Sequence, residues 1–158
     1  MPGRVFAVVG PSGAGKDTLI AAVRDGRVAV HVVRRVITRP EEAGGEPYEG
    51  VTEAEFAARR DAGAFLLHWE AHGLHYGIPI EAERALEEGR DIIFNGSRAM
   101  LAEAWAAFPN LTVILVTAPI QVLAERLAAR GRETPQEIAA RLARARYEVP
   151  PGIPVRVV

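Results

Sequence analysis

Apolar residues fall along this chain in two alternating rhythms. Val5–Val9 is an unbroken apolar run, and Asp91–Asn95 and Leu111–Thr117 carry similar runs, with the length and β-branched content of strands buried on both faces. Between the last two, Met100, Leu101, Ala104, Trp105 and Phe108 recur at the spacing of a helix with one buried side. Further helices are predicted from about Lys16 to Arg24, from a capping box at Thr52–Glu55 to Gly63, from Pro79 to Gly89, and from Pro119 to near Gly131. Another begins at Thr134, where an N-cap, a proline and an acid follow in order. Val28–Ile37 reads as a second strand ended by Thr38-Arg39-Pro40, Glu41–Gly50 as a loop, Ala64–Trp69 as a short extended segment, and Val155–Val158 as a final strand. Strand and helix in alternation predict an α/β domain with a parallel sheet flanked by helices.

The first strand runs directly into Gly10-Pro11-Ser12-Gly13-Ala14-Gly15-Lys16-Asp17-Thr18, which then opens a helix. Glycines in this setting let backbone N–H groups curl around phosphate oxygens, with the positive end of the helix aimed at them. A lysine at the helix start reaches the β- and γ-phosphates of a nucleoside triphosphate. Lys16 is the single lysine among 19 cationic side chains, the rest being arginine. An ammonium on a flexible stem and a planar guanidinium are not interchangeable, so this position is the one that needs lysine. The pattern therefore predicts a nucleoside triphosphate site. Asp17 stands where a Ser or Thr hydroxyl normally meets Mg²⁺. Two readings fit it: a hard oxygen ligand for Mg²⁺, or a first-turn acid complementing the helix dipole.

Composition narrows the surroundings. At 158 residues, 49% apolar and 25% charged, the chain reads as one globular domain. A net charge of −1 supplies no global attraction to nucleic acid or membrane. There is no cysteine, and neither a leader peptide nor a membrane-length apolar run is recognisable, so the expected compartment is the cytoplasm. Oligomeric state is not readable. The arginines cluster: Arg126 and Arg130 share a helix face, and Arg132, Arg141, Arg144 and Arg146 follow. Arg130 and Arg141, on either side of the break at Gly131, suit a lid that brings charge to a transferring phosphoryl group; a solvated basic face is the other reading, favoured for Arg144 and Arg146. His68, His72 and His75 have only loosely the spacing of a zinc site, with no acid or cysteine arranged beside them.

The order of motifs resembles the guanylate kinases over nearly the whole chain. The resemblance rests on Gly10–Leu19, Thr38-Arg39-Pro40, Gly44-Gly45-Glu46, Tyr48, Gly63-Ala64-Phe65, His72-Gly73, Tyr76-Gly77 and Arg126-Leu127 with Arg130-Gly131. It implies a P-loop NTPase core that binds ATP, a small acceptor-binding insert at about 34–88, and an arginine-bearing helical lid at about 126–146. It also implies that Arg39, Tyr48 and Tyr76 hold the acceptor phosphate; the second arginine of that grip has no counterpart in Pro40-Glu41-Glu42. The residues that read guanine are replaced by Leu67 and Ile78, and two strand-end aspartates by Asn95 and Ser97. These departures, with Asp17 and with His68–Leu74, Tyr76–Pro79 and Asn95–Arg98, are similar to the ribose 1,5-bisphosphate phosphokinase branch, where the acceptor is a phosphorylated sugar. Arg98 is then a further acceptor candidate. A nucleoside monophosphate kinase and a non-catalytic guanylate-kinase-like binding module are the alternatives. Members of the family continue past the last strand into a loop and helix that help hold adenine; this sequence ends at Val158.

Overall fold

The computed structural model describes residues 3–11, 15–26, 29–40, 48–117, 119–129, 131, 134–144 and 149–158. The elements in chain order are β1 (Val5–Val9), α1 (Lys16–Asp25), β2 (Val30–Val32), β3 (Arg35–Ile37), β4 (Tyr48–Gly50), α2 (Glu53–Asp61), β5 (Phe65–Ala71), β6 (Leu74–Pro79), α3 (Ala82–Glu87), β7 (Asp91–Asn95), α4 (Leu101–Ala107), β8 (Leu111–Leu115), α5 (Ile120–Ala128), α6 (Pro135–Arg144) and β9 (Val155–Val157). A single 3₁₀ turn, Arg98–Met100, precedes α4.

β2, β7, β1, β8 and β9 form one sheet in that order, parallel throughout. β1 lies at its centre and is covered on both sides. Val5, Ala7 and Val9 join the larger apolar cluster, with Phe94, Met100, Leu101 and Ala104. Val8 points the other way, into a cluster with Ile20, Ile93 and Leu123. Alternation along a strand sends successive side chains to opposite faces, and both faces are dry here, so the strand needs apolar residues at every position.

The second sheet, β4-β3-β6-β5, has one parallel pair (β3 with β4) and two antiparallel pairs. It is built from a continuous stretch of chain and seats on the first through Leu67, Trp69 and Ile78, which belong to the same buried cluster as β1 and β7. α2 lies against β5. Its start is as expected, with the Thr52 hydroxyl accepting from the Glu55 N–H at 3.1 Å. The Thr134 hydroxyl likewise accepts from the Glu137 N–H at 3.2 Å at the start of α6.

Three expectations are corrected. Val28–Ile37 does not yield one strand: β2 pairs with β7 in the first sheet, and after Val33-Arg34 the chain crosses into the second as β3. An apolar run carries no mark of which sheet each half will join. The expected loop Glu41–Gly50 ends in β4, recruited by pairing with β3, whose backbone offers the free edge. Pro79 closes β6 instead of opening a helix, and α3 starts at Ala82; a proline with no N–H to give suits a strand end as well as a helix start.

Candidate functional site

Val9 ends β1 between the ends of β7 and β8, and the glycine loop leaves from there. Gly10 has φ 153°, and a Cβ there would lie 2.2 Å from the carbonyl oxygen of Val116, so only glycine passes so close to β8. Gly15, at φ 104°, caps α1, and its carbonyl receives the Leu19 N–H at 3.0 Å. Pro11 is half-buried; Ser12, Gly13 and Ala14 lie outside the described residues. Lys16 opens α1 and its ammonium donates to the Gly10 carbonyl at 2.9 Å, folded back across the mouth of the loop. Asp17 and Thr18 follow on the exposed side of the first turn.

Asn95, buried at the end of β7, donates from its side-chain amide to the Asp17 carboxylate at 3.2 Å. That contact engages one carboxylate oxygen of Asp17, a side chain that is exposed on the first turn of α1. One carboxylate and one amide form a sparse, hard donor set, the kind Mg²⁺ uses when it keeps several waters and takes its other ligands from phosphates. The residues present therefore fit a magnesium ion carried by a nucleotide.

Beside the loop lies a cavity of about 330 Å³, lined by Gly10 and Lys16 on one side and by Ala71, His72, Ser97 and Arg98 on the other. It sits at the C-terminal ends of the parallel strands, where ligands of open α/β sheets bind. Lys16 and the expected acceptor residue Arg98 thus meet at one cavity. The tip of the β5–β6 hairpin closes it, which sequence reasoning had not indicated.

Arg39 and Tyr48 form a second group. The Arg39 Nε donates to the Tyr48 hydroxyl at 3.1 Å, its guanidinium lies 4.7 Å from the centre of the same ring, and the Tyr48 hydroxyl donates to the Pro40 carbonyl. Tyr76 is positioned differently: it stacks on Trp69 at 5.4 Å with planes 6° apart, and the Arg35 guanidinium lies 5.3 Å from its ring centre. Arg35 pairs with Tyr48 across β3 and β4, so it stands between the two tyrosines and is itself buried. Sequence reasoning sought a second arginine after Pro40 and passed over this one. The signal available was a charged residue inside a short apolar run.

Leu67 and Ile78 are buried, paired across the β5–β6 hairpin, and packed into the main core. Neither can accept a hydrogen bond, and both are committed to docking the second sheet. Of the arginines expected in a lid, Arg126 lies on α5, Arg130 is outside the described residues, and Arg141 lies on α6 with its side chain outside them. α5 and α6 pack on one another across the break at Gly131. Away from the cavity, Arg59 bridges Glu49 at 2.7 Å and Glu55 at 2.8 Å, tying β4 to α2 and holding the Glu49 carboxyl below its usual pKa, chiefly through the hydrogen bond.

The sequence profile described as guanylate kinase matches residues 2–150. The chain is 54% identical over 153 residues to a bifunctional ribose 1,5-bisphosphokinase-thymidine phosphorylase of Cupriavidus necator, covering 96% of this chain and 26% of that protein, about a quarter of its length. It is 50% identical over 151 residues to the ribose 1,5-bisphosphate phosphokinase PhnN of Ruegeria sp. (strain TM1040), covering 96% of this chain and 80% of the relative. Among solved structures, a guanylate kinase from Anaplasma phagocytophilum superposes with a TM-score of 0.66 at 19% identity, over 99% of this chain and 77% of the other. That likeness establishes the shared fold.

Proposed function

Since the chain belongs to the guanylate kinase family, and within it to the ribose 1,5-bisphosphate phosphokinases, we propose that it transfers the γ-phosphoryl group of ATP to the 1-phosphate of ribose 1,5-bisphosphate. The products are ADP and 5-phosphoribosyl 1-diphosphate. The observation that carries this reading is half-identity to such a kinase over 96% of the chain, with the loop lysine retained.

The nucleophile is an oxygen of the acceptor's ionised 1-phosphate. It attacks the γ-phosphorus as the bond to the β–γ bridging oxygen breaks. No hydroxyl proton has to be removed, so no general base is required, and none is needed beside Lys16. Catalysis then rests on alignment and on neutralising charge spread over the moving group. Lys16 holds the β- and γ-phosphates, together with backbone N–H groups of residues 10 to 18. Arg126 faces the nucleotide, and Arg130 and Arg141 bring charge from the lid at 126–146. Arg39, Tyr48 and Tyr76, in the insert at 34–88, hold one acceptor phosphate, with Arg98 nearer the loop. Asp17, oriented by Asn95, would hold Mg²⁺, which when bound offsets phosphate charge. A reaction that draws on ATP suits the cytoplasm, and no helix among the described residues is long and apolar enough to cross a membrane.

Leu67 and Ile78 argue against a nucleoside monophosphate kinase specific for guanine, because both are buried in the core where that base would need acceptors. The test is ³¹P product analysis with Mg-ATP and ribose 1,5-bisphosphate, with GMP and AMP in parallel. A new diphosphate signal on C1 of ribose is expected. Efficient phosphorylation of GMP in its place, or no ATP consumption with any acceptor, overturns the reading.

A further inference from the structure

Two oddities, far apart in sequence, meet at the cavity beside Lys16. The first is His72. It is the single non-glycine residue with positive φ among the described residues, at 54°, and Gly73 beside it has φ 74°. Ala71 and Leu74 pair across the strands, so His72-Gly73 is a two-residue hairpin loop with both residues left-handed. That geometry is the type I′ turn, for which asparagine or glycine would be the relaxed choice at the first position. A non-glycine residue held there stores strain, and such residues gather at binding and active sites. His72 is exposed on the cavity side, so no packing in the core explains it.

The second oddity is Ser97. It follows β7 and lines the same cavity, yet its hydroxyl oxygen is buried with no hydrogen-bond partner among the described residues. A buried hydroxyl left in that state is destabilising. Alanine would fill the position at no such cost.

We propose that His72 and Ser97 form a subsite for the sugar of a pentose phosphate, reading its hydroxyls and the adjoining phosphate oxygens beside Lys16. Lys16 and Arg98 supply positive charge at the same cavity. Imidazole and hydroxyl can accept as well as donate hydrogen bonds, which lysine and arginine cannot. Among the described lining residues there is no phenylalanine, tyrosine or tryptophan to stack a base and no carboxylate to repel an anion. The hairpin tip brings His72 from the second sheet to the strand ends of the first, next to the glycine loop. The inference rests on the proposed kinase reading and adds residues to its acceptor side.

The test is steady-state kinetics with ribose 1,5-bisphosphate and Mg-ATP varied separately, on wild type, His72→Gly, His72→Asn and Ser97→Ala, with thermal melts of each. Glycine and asparagine both accept the left-handed turn, so these variants fold. His72→Gly and Ser97→Ala should each raise the acceptor KM about tenfold, with the ATP KM within about twofold, the loss of one hydrogen bond to a charged or polar partner. His72→Asn should do the same to a smaller degree, since its amide is shorter. None of the three should lower Tm, and His72→Gly should raise it by about 2 °C as strain is released. An unchanged acceptor KM in His72→Gly and Ser97→Ala overturns the subsite while leaving the kinase reading intact. A parallel rise in both KM values overturns it too, because it would assign these residues to the phosphate loop. Absence of turnover by wild type overturns the kinase reading and the subsite with it.

Discussion

The two sheets of this molecule achieve order in different ways. The parallel sheet uses apolar burial: Val5, Ala7, Val8, Val9, Ile92, Phe94 and Val113 are fully buried, and its three inner strands β7, β1 and β8 could be seen as apolar runs. The insert sheet adds contacts of charged and aromatic groups: Arg35 over Tyr76, Arg39 over Tyr48, Trp69 stacked on Tyr76, and Arg59 clasping two glutamates. The first sheet carries the glycine loop at the end of its central strand. The second brings together the cations and aromatic rings that the proposed function assigns to the acceptor. A scaffold tolerates uniform apolar filling, whereas a surface that recognises a sugar phosphate has to keep polar groups and hold them by one another.

This contrast can be broken most sharply in stability. Phe94→Ala removes a fully buried ring from β7 and should cost about 3–5 kcal/mol in chemical denaturation. Phe65→Ala, removing a half-buried ring of the insert that stacks on Phe56 at 4.6 Å, should cost clearly less. Equal losses would mean that the two sheets share one core evenly. On the catalytic side, Lys16→Ala should lower kcat by about 10²–10³-fold, as loss of a preorganised charge contact does, with an unchanged circular dichroism spectrum. Retained turnover would detach the phosphate loop from the chemistry.

Smaller effects sharpen the acceptor half. Tyr48→Phe removes the hydroxyl that Arg39 donates to and should raise the acceptor KM about tenfold, with little change in the ATP KM; a change confined to ATP would place Tyr48 on the wrong side. Arg59→Ala should cost no more than about 1 kcal/mol, because all three side chains of its ion-pair group are partly exposed. Its sign with pH follows from Glu49, whose folded pKa is lowered by Arg59. The contribution is present above the unfolded value of about 4.3 and is lost as pH falls through the lowered folded value. The melting difference between wild type and Arg59→Ala should therefore shrink toward zero in acid; a difference that grows there would contradict the assignment.

Much of the donor half was legible. The glycine loop declared itself by position, after an apolar strand and before a helix, and the caps at Thr52 and Thr134 form as their spacing indicates. The acceptor half was legible only in part. Arg39 and Tyr48 do come together, and Arg98 reaches the cavity of Lys16. Arg35 was passed over because it was hidden in a run read as a single strand, and His72 was weighed only for metal binding and as part of a motif, because the cavity beside its hairpin tip is completed by another sheet.

What the sequence determined by itself was therefore local: element type, helix ends, and the loop whose function depends on consecutive residues. What the tertiary structure decided was which sheet each half of Val28–Ile37 would join, that Tyr48–Gly50 would become a strand, and that residues 72 and 97 would face one cavity. The reason is physical. Helix caps and phosphate-loop amides act over a few residues, so spacing encodes them. Sheet membership and cavity walls depend on which distant edge is free to pair and which face remains uncovered, and those become definite only once the whole chain has packed.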